Sequence, residues 1–326
     1  MLLVTGGAGF IGSNLVADLN DGGRGDVVIS DVLGTGDKWR NLRNRRIADF
    51  IPPPDLARWL EGRKLEAIVH LGANSDTTAT DADEVMATNF KLSLALLDWC
   101  AKTRTRFIYA SSAATYGAGE QGFVDDASVA ALRRLQPLNL YGWSKHLFDL
   151  VVAERAEKNR DLPPQWAGLK FFNVFGANEY HKGHMKSVLA TVFEDAKAGR
   201  AVRLFKSYRA GIAHGEQKRD FVSVEDATAV MRWLLESPSV SGLFNVGTGK
   251  AGTFRELIVA LFEALGQTPR IEYIDMPETL RPRYQYFTQA SVEKLRGAGY
   301  NADFTPLAAA VARYVTQHLA APDPYR

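Results

Sequence analysis

The sequence predicts an α/β protein built on a doubly wound parallel sheet, with a smaller α/β domain that binds the substrate. Three observations support this prediction. A glycine-rich turn joins the first apolar run to a helical pattern. Strand-like runs then alternate with helical ones. Hydroxyl and amide side chains stand at the ends of the strand-like runs. Ligands of such sheets bind beyond the carboxyl ends of the strands, so these side chains are expected to meet in one crevice.

The first element is a short apolar run, Leu2 to Val4, followed by Gly6, Gly7, Gly9 and Gly12. The spacing Gly-x-Gly-x-x-Gly after a strand and before a helix is typical of the Rossmann dinucleotide-binding turn. Glycines permit the tight turn, the approach of a pyrophosphate to the backbone, and close packing of helix on strand. The pattern therefore predicts a bound dinucleotide. The alternative is a glycine turn with only a structural role.

The second strand, Asp26 to Ser30, ends at Asp31, which lies 19 residues after Gly12. A carboxylate at this place accepts hydrogen bonds from the adenosine ribose and favours NAD. Two basic residues follow, Lys38 and Arg40, and either could hold the 2′-phosphate of NADP. The sequence leaves the choice between NAD and NADP open.

Three further strands are predicted at 65–73, 106–117 and 167–176, separated by helices at 83–101 and 140–157. Beyond residue 176 the alternation weakens, and long polar loops appear. We predict a dinucleotide-binding domain at 1–172 and about 220–250. The substrate-binding domain is predicted to comprise about 173–219 and 251–326.

Composition excludes several classes of function. The chain of 326 residues carries 39 Lys and Arg against 37 Asp and Glu, a net charge of +2, so no nucleic acid is expected as a partner. The single cysteine, Cys100, can form no internal disulfide, and no metal site is predicted. No apolar run is long enough to span a membrane, so we expect a cytoplasmic protein.

The stretch LNLYGWSKHL places Tyr141 and Lys145 four residues apart, on one face of the predicted helix. An ammonium about 5 Å from a phenol supplies most of the roughly 4 kcal/mol needed for the phenol to act as a base near pH 7. Gly142 costs stability inside a helix, which indicates that another group passes close to it. Ser112, at a strand end, could donate to the same reacting oxygen, or it could simply cap the strand.

Five stretches together resemble the extended short-chain dehydrogenases/reductases of the nucleotide-sugar epimerase group: VTGGAGFIG, YASSAATYG, YGWSK, FFNVFG and KRDFVSVEDA. Further stretches of the sequence resemble the members of that group that act on C6 of an ADP-linked heptose. Among them are NLRNRRIADF, EYHKGHMKSV and RYQYFTQA. The resemblance covers nearly the whole chain. It implies a tightly held NADP, with NAD as the other candidate, a nucleotide-diphosphate sugar as substrate, and a homo-oligomer, with a pentamer as one size.

The implied reaction is the conversion of ADP-D-glycero-D-manno-heptose to its L-glycero epimer by transient hydride transfer, a step of lipopolysaccharide core precursor synthesis. The catalytic groups would be Tyr141, Lys145, Ser112 and a second acid/base, Lys182, which would otherwise be a solvated loop lysine. The substrate would contact Asn173, His184, Phe205, Arg219 and Tyr284. The cofactor would contact Gly6, Gly9, Phe10, Ile11, Gly12, Asp31, Val32, Lys38, Leu71, Gly72, Ala73, Asn74, Ser75, Asn89, Lys145 and Val174.

The chain departs from that group at three places. Prolines at 52–54 stand where a lysine often lies, which weakens the NADP preference, and the loop at 205–218 is altered, which leaves the sugar specificity open. His184 replaces a small hydroxyl residue, and its role is open. A dehydratase would need Asp-Glu where Ala113 and Ala114 stand. The remaining rivals are a UDP-hexose 4-epimerase and a non-catalytic NAD(P) sensor, which tends to lack the Tyr/Lys pair.

Overall fold

The computed structural model describes residues 1–278, 280–281 and 284–326. Thr279, Pro282 and Arg283 lie outside the described residues. The strands are β1 (Leu2–Thr5), β2 (Val27–Ser30), β3 (Asp49–Ile51), β4 (Ala67–His70), β5 (Arg106–Ser112), β6 (Trp166–Phe171), β7 (Asn173–Phe175), β8 (Val202–Phe205), β9 (Lys218–Arg219), β10 (Phe221–Ser223), β11 (Gly242–Val246), β12 (Gly252–Thr253) and β13 (Ile271–Ile274).

The helices lie on both faces of the large sheet and around the smaller paired strands. They are α1 (Phe10–Asp21), α2 (Leu56–Leu60), α3 (Ala82–Val85), α4 (Leu92–Thr103), α5 (Val129–Leu132), α6 (Leu140–Glu157), α7 (Val188–Lys197), α8 (Val224–Glu236), α9 (Phe254–Ala264), α10 (Glu293–Gly297) and α11 (Leu307–Tyr314). A π-helical turn, Met86–Lys91, joins α3 to α4. The predicted helix 140–157 is confirmed at both ends, and Asn139 caps its first turn by accepting from the Gly142 amide.

Seven strands form the central parallel sheet in the order β11-β6-β5-β4-β1-β2-β3. This order confirms the predicted doubly wound sheet, because the chain runs outward from β1 in one direction and then in the other. One apolar core lies between the sheet and helices α1 and α8, and a second lies on the opposite face beneath α4 and α6. Cys100 lies buried in this second core.

The predicted strand 167–176 is two strands. The Phe172 amide still donates to the Val246 carbonyl oxygen at 3.0 Å, but the Asn173 amide donates to the Asp220 carbonyl oxygen at 3.0 Å. The chain therefore leaves the large sheet after β6, and β7 pairs with β10 instead. The switch places Asn173 beyond the carboxyl end of the sheet, where ligands of this fold bind.

A third core joins α7, α9 and α11 to the small paired strands β8 and β13. Helix α10 and the residues after it belong elsewhere, because Leu295 and Tyr300 pack in the core beneath α8. Part of the predicted substrate-binding domain thus rests on the large sheet. No helix in the described ranges is long and apolar enough to cross a membrane. The described residues also contain no group of three or more side chains suited to hold a metal ion.

Candidate active site

A cleft of about 1220 Å³ opens at the carboxyl ends of the central strands. Its lining combines the glycine turn, the ends of β4 and β5, the start of α6, the β6–β7 break and the segment Tyr180–Met185. Tyr284 and Arg219 close the far end. The crevice expected from the sequence is therefore a single continuous cavity.

The glycine turn leaves no room for side chains. Gly6 adopts φ +67°, and a Cβ there would lie 2.6 Å from the Gly72 amide nitrogen. A Cβ on Gly12 would lie 2.2 Å from the Gly6 carbonyl oxygen, so α1 packs directly on the turn. The amino end of α1 thus faces the cleft with bare backbone, an arrangement that suits the pyrophosphate of a dinucleotide.

Asp31 and Lys38 form one ion pair at the adenosine end of the cleft. The Lys38 Nζ donates to Asp31 Oδ1 at 2.6 Å and to the Val32 carbonyl oxygen at 2.9 Å. The Ala8 amide donates to Asp31 Oδ2 at 2.8 Å, which fixes the carboxylate beside the glycine turn. The two residues that favour opposite cofactors by sequence are therefore direct partners.

Tyr141 and Lys145 both line the cleft from the first turns of α6. Tyr141 is hydrogen-bonded to Ser112. Ser112 also accepts from the Ala114 amide at 3.1 Å, so it caps its strand end as well as contacting the phenol. A Cβ on Gly142 would lie 2.7 Å from the Ala114 carbonyl oxygen, which identifies the group predicted to pass close to this glycine.

The electrostatics of this pair differ from the prediction. Burial raises the pKa of Tyr141, the hydrogen bond with Ser112 opposes this effect, and the charge of Asp149 adds to it. Burial also lowers the pKa of Lys145 to about 8, against the effect of Asp149. The expected depression of the phenol pKa is therefore absent in the polypeptide by itself, because the desolvation cost of a buried phenolate is the largest effect.

Lys182 lies in the segment Tyr180–Met185 and lines the same cleft. Its Nζ lies 5.3 Å from the centre of the Phe10 ring, and burial lowers its pKa against the charge of Glu179. Lys182 is thus half-buried beside the start of α1. A buried lysine with a lowered pKa has a larger neutral fraction near pH 7, which a proton acceptor needs.

Glu179, which the sequence analysis missed, anchors this segment. Its carboxylate is fully buried and accepts from the Ser187 amide and hydroxyl at 2.5 and 2.7 Å and from the Tyr314 hydroxyl at 2.9 Å. The only signal in the sequence was an acidic residue directly before the polar run YHKGHM. The anchor holds the start of α7 and the end of α11 against the loop that carries Lys182.

Arg219 and Tyr284 meet at the far end of the cleft. The Arg219 guanidinium lies 5.3 Å from the centre of the Tyr284 ring and 5.7 Å from that of Phe254. Burial lowers the pKa of Arg219, and Tyr284 opposes this effect. Asn173 lines the cleft between this end and Tyr141, and its side chain is exposed. A buried cation between aromatic rings is suited to a planar contact with an anionic group.

Four predicted contact residues do not line the cleft. Val32 points to solvent, and Phe205 ends β8, where its carbonyl oxygen accepts from Gln217. Asn74 turns its side-chain amide toward Glu84. Asn89 is fully buried in the π-helical turn, where it accepts from the Asn74 amide at 2.8 Å and donates to the Ser144 hydroxyl at 3.0 Å.

His184 lines the mouth of the cleft opposite a hydroxyl-rich run that the sequence analysis did not select. Its Nε2 lies 3.4 Å from the Thr78 hydroxyl and 3.5 Å from Asp76 Oδ1. The remaining predicted contacts line the cleft. They are Gly6, Gly9, Phe10, Ile11, Gly12, Asp31, Lys38, Leu71, Gly72, Ala73, Ser75, Lys145 and Val174.

Relatives align with this chain over its full length. The chain is 48% identical over 329 aligned residues to the ADP-L-glycero-D-manno-heptose-6-epimerase of Nitratidesulfovibrio vulgaris (strain DP4), with 100% of both chains covered. It is 45% identical over 335 residues to the Fusobacterium nucleatum protein of the same name, again with 100% coverage of both.

Two solved structures also match nearly the full length. The ADP-L-glycero-D-manno-heptose-6-epimerase of Helicobacter pylori is 28% identical with a TM-score of 0.79, covering 97% of this chain and 95% of that one. The Thermus thermophilus UDP-glucose 4-epimerase, solved in complex with NAD, is 25% identical with a TM-score of 0.75, covering 97% and 99%. The model of the NAD dependent epimerase/dehydratase family matches residues 2–247. This chain therefore belongs to the NAD dependent epimerase/dehydratase family.

Proposed function

We propose that this protein interconverts the two C6 epimers of an ADP-linked heptose, from ADP-D-glycero-D-manno-heptose to ADP-L-glycero-D-manno-heptose, for lipopolysaccharide core precursor synthesis. One observation carries the proposal. Tyr141 on α6 and Lys182 on the Tyr180–Met185 segment line one cleft together with the glycine turn. The two acid/base groups come from different elements, as a reaction at both faces of one carbon requires. The identity of the sugar is inferred from the names of the relatives with 45–48% identity.

In this mechanism Tyr141 exchanges a proton with the C6 hydroxyl on one face, and Ser112 holds the same oxygen by a hydrogen bond. Lys182 exchanges the proton on the other face. Asn173 orients the sugar between them, and the Arg219 guanidinium binds the diphosphate with its planar fork. Tyr284 contacts the ADP portion, and His184 contacts the sugar at the mouth of the cleft. A bound nicotinamide cofactor supplies reversible hydride acceptance.

The residues of the cleft fit such a cofactor, because bare backbone at the glycine turn meets an anchored carboxylate at Asp31. Lys145 lies where it can contact the ribose beside Tyr141. We propose NADP as the preferred form. Lys38 neutralises Asp31, so a 2′-phosphate would meet a balanced pair rather than an isolated carboxylate. The same pair leaves NAD as a usable alternative.

Lys38→Met tests this preference. The variant is expected to bind NADP about tenfold more weakly, because Asp31 then repels the 2′-phosphate, while NAD affinity changes by less than threefold. Fluorescence titration of the purified protein with each nucleotide measures both constants. Arg46→Met, an exposed change in the same basic stretch, is the control. An equal loss for both nucleotides would contradict the assigned role of Lys38.

A substrate panel tests the reaction. ADP-heptose, ADP-glucose and UDP-galactose are each incubated with the cofactor-loaded protein, and epimers are separated by chromatography or NMR. Only the heptose is expected to be converted. Turnover of UDP-galactose would favour the UDP-hexose 4-epimerase alternative, and turnover of none of the three would count against an epimerase of either kind.

We further propose a cytoplasmic homo-oligomer. In each protomer, residues 1–172 and about 220–250 form the domain that binds the cofactor, and about 173–219 and 251–326 form the domain that binds the substrate. Nucleotide sugars and nicotinamide nucleotides are metabolites of the cytoplasm, which supports that location. Exposed apolar side chains, including Trp39 and Trp143, are the kind of surface that a second copy would cover. Sedimentation velocity measures the size, with a pentamer as the expected species.

A further inference from the structure

A buried charge pair lies behind the cleft and has no part in the mechanism described above. Asp149 on α6 and Lys170 on β6 are both fully buried, and the Lys170 Nζ lies 2.8 Å from Asp149 Oδ2. Isolated buried charges are costly, and even a paired one adds little stability compared with an apolar pair of similar volume. The presence of this pair, whose Asp149 lies on the helix that carries Tyr141 and Lys145, therefore calls for a function beyond stability.

Every polar side-chain atom of the pair has a further partner on β5 or on the turn Ala113–Tyr116 that follows it. Asp149 Oδ2 also accepts from the Ser111 hydroxyl at 2.7 Å, and Oδ1 accepts from the Tyr109 hydroxyl at 3.1 Å. The Lys170 Nζ donates to the Thr115 hydroxyl at 2.6 Å. The pair is thus held rigidly in one geometry.

Two structural links connect the pair to the proton-transfer residues. Tyr141, Lys145 and Asp149 follow one another at intervals of four on α6, so they form a row along one face of the helix. Ser111, which donates to Asp149, immediately precedes Ser112, which is hydrogen-bonded to Tyr141. The carboxylate therefore lies one helical turn from Lys145 and two turns from Tyr141 on α6, and β5 connects its partner Ser111 to Ser112.

We propose that Asp149 and Lys170 are positioning residues that set the electrostatic potential at Tyr141 and Lys145. The inference rests on the proposed function for the role of Tyr141 as acid/base. Asp149 keeps the ammonium of Lys145 charged inside a buried site, and Lys170 limits how strongly the same carboxylate opposes the phenolate of Tyr141. Their balance fixes the pH range in which the phenol and the ammonium work together.

Burial favours the neutral form of the neighbouring titratable side chains. Burial lowers the pKa of His70 on β4 to about 3, and it also lowers the pKa of His146 on α6. Burial raises the pKa of Tyr109 on β5 and of Tyr116 after β5 well above the ordinary value for tyrosine. Asp125, beyond Tyr116, has a raised pKa through burial and lies next to Lys294.

The signs of the two charges are opposite and can be tested separately. Asp149 raises the pKa of both Tyr141 and Lys145. Asp149→Asn removes that effect and leaves Lys170 unbalanced, so the pKa of Tyr141 is expected to fall by about one unit. Lys170→Met leaves the carboxylate unbalanced, so the pKa of Tyr141 is expected to rise by about one unit.

The experiment titrates the Tyr141 phenol itself. Tyrosinate absorbance is followed against pH in protein saturated with oxidised cofactor, and the curve of the same background carrying Tyr141→Phe is subtracted. The readout needs no sugar substrate, so failure of the proposed reaction and failure of this inference are distinguishable. Asp98→Asn is the matched control, because it removes the partner of Arg155 at the outer end of α6. It is expected to leave the titration unchanged.

Each single variant leaves a buried charge without its partner, which destabilises the fold. The double variant Asp149→Asn/Lys170→Met avoids this, and its Tyr141 pKa is expected to lie between those of the wild type and Asp149→Asn. Shifts of opposite sign in the two single variants, or the intermediate value in the double variant, support the inference. An unchanged pKa in every variant that folds, or shifts of the same sign in the single variants, would overturn it.

Discussion

Tyr141→Phe is expected to lower kcat by about 10³-fold while the protein still folds and retains its cofactor. The phenol lines the cleft at the start of α6 and is hydrogen-bonded to Ser112, so removal of its hydroxyl deletes a proton donor and acceptor without opening a cavity. Steady-state turnover of ADP-heptose measures the loss. The absorbance of the purified protein reports the bound cofactor.

Tyr273→Phe is the matched control for this substitution. Tyr273 lies on β13, outside the cleft lining, and loses the same hydroxyl group. It is expected to keep wild-type turnover. Wild-type kcat in Tyr141→Phe would remove this phenol from the mechanism, whereas equal losses in both variants would point to a general effect on folding.

The direction of the Tyr141 pKa explains why a bound cofactor is needed for the phenol to act as a base. Burial raises this pKa, so the effect of the Lys145 ammonium, which the sequence argument credited with most of the required depression, does not outweigh desolvation in the polypeptide by itself. An oxidised nicotinamide ring carries a positive charge that favours a nearby phenolate. The active proton acceptor is therefore expected to form only together with the oxidant, which couples proton removal to hydride removal.

The parts of the fold that are determined by residues close together in the sequence could be predicted from it. The glycine turn after β1 and the full length of α6 are local patterns, each fixed by strand, cap and helical periodicity. The doubly wound class of the central sheet also followed, because alternating strands and helices permit few topologies. These elements place Tyr141, Ser112 and Asp31 at one edge of the sheet, so their common cleft was predictable.

The parts that depend on distant contacts did not follow. The β6–β7 break requires Asp220 to receive the Asn173 amide, and the anchoring of Glu179 requires Tyr314. Both partners are far away in sequence, and neither contact leaves a periodic signal. Asn89 was assigned to the cofactor, yet the π-helical turn buries its side chain against Ser144 behind the cleft. Long-range packing therefore determines which polar residues reach the cavity.

Lys182→Met is expected to block proton transfer on one face of C6 and to spare the other. Lys182 lies beside Phe10 in the cleft, on a segment anchored by Glu179, and its lowered pKa suits a proton acceptor. Net epimerisation passes through both faces in either direction, so turnover is expected to fall by about 10²–10³-fold from both epimers alike. Steady-state rates alone therefore cannot assign Lys182 to one face.

The first oxidation step makes that assignment. In rapid mixing with excess sugar, the appearance of reduced cofactor at 340 nm reports proton and hydride removal from whichever epimer is supplied. Lys182→Met is expected to reduce its cofactor at a normal rate with one epimer and about 10²-fold more slowly with the other, while Tyr141→Phe shows the reverse preference. Lys197→Met, a surface lysine at the end of α7, serves as the control. Equal slowing of Lys182→Met with both epimers would leave Lys182 as a binding residue, because a group that serves only one face cannot slow the first step on the other.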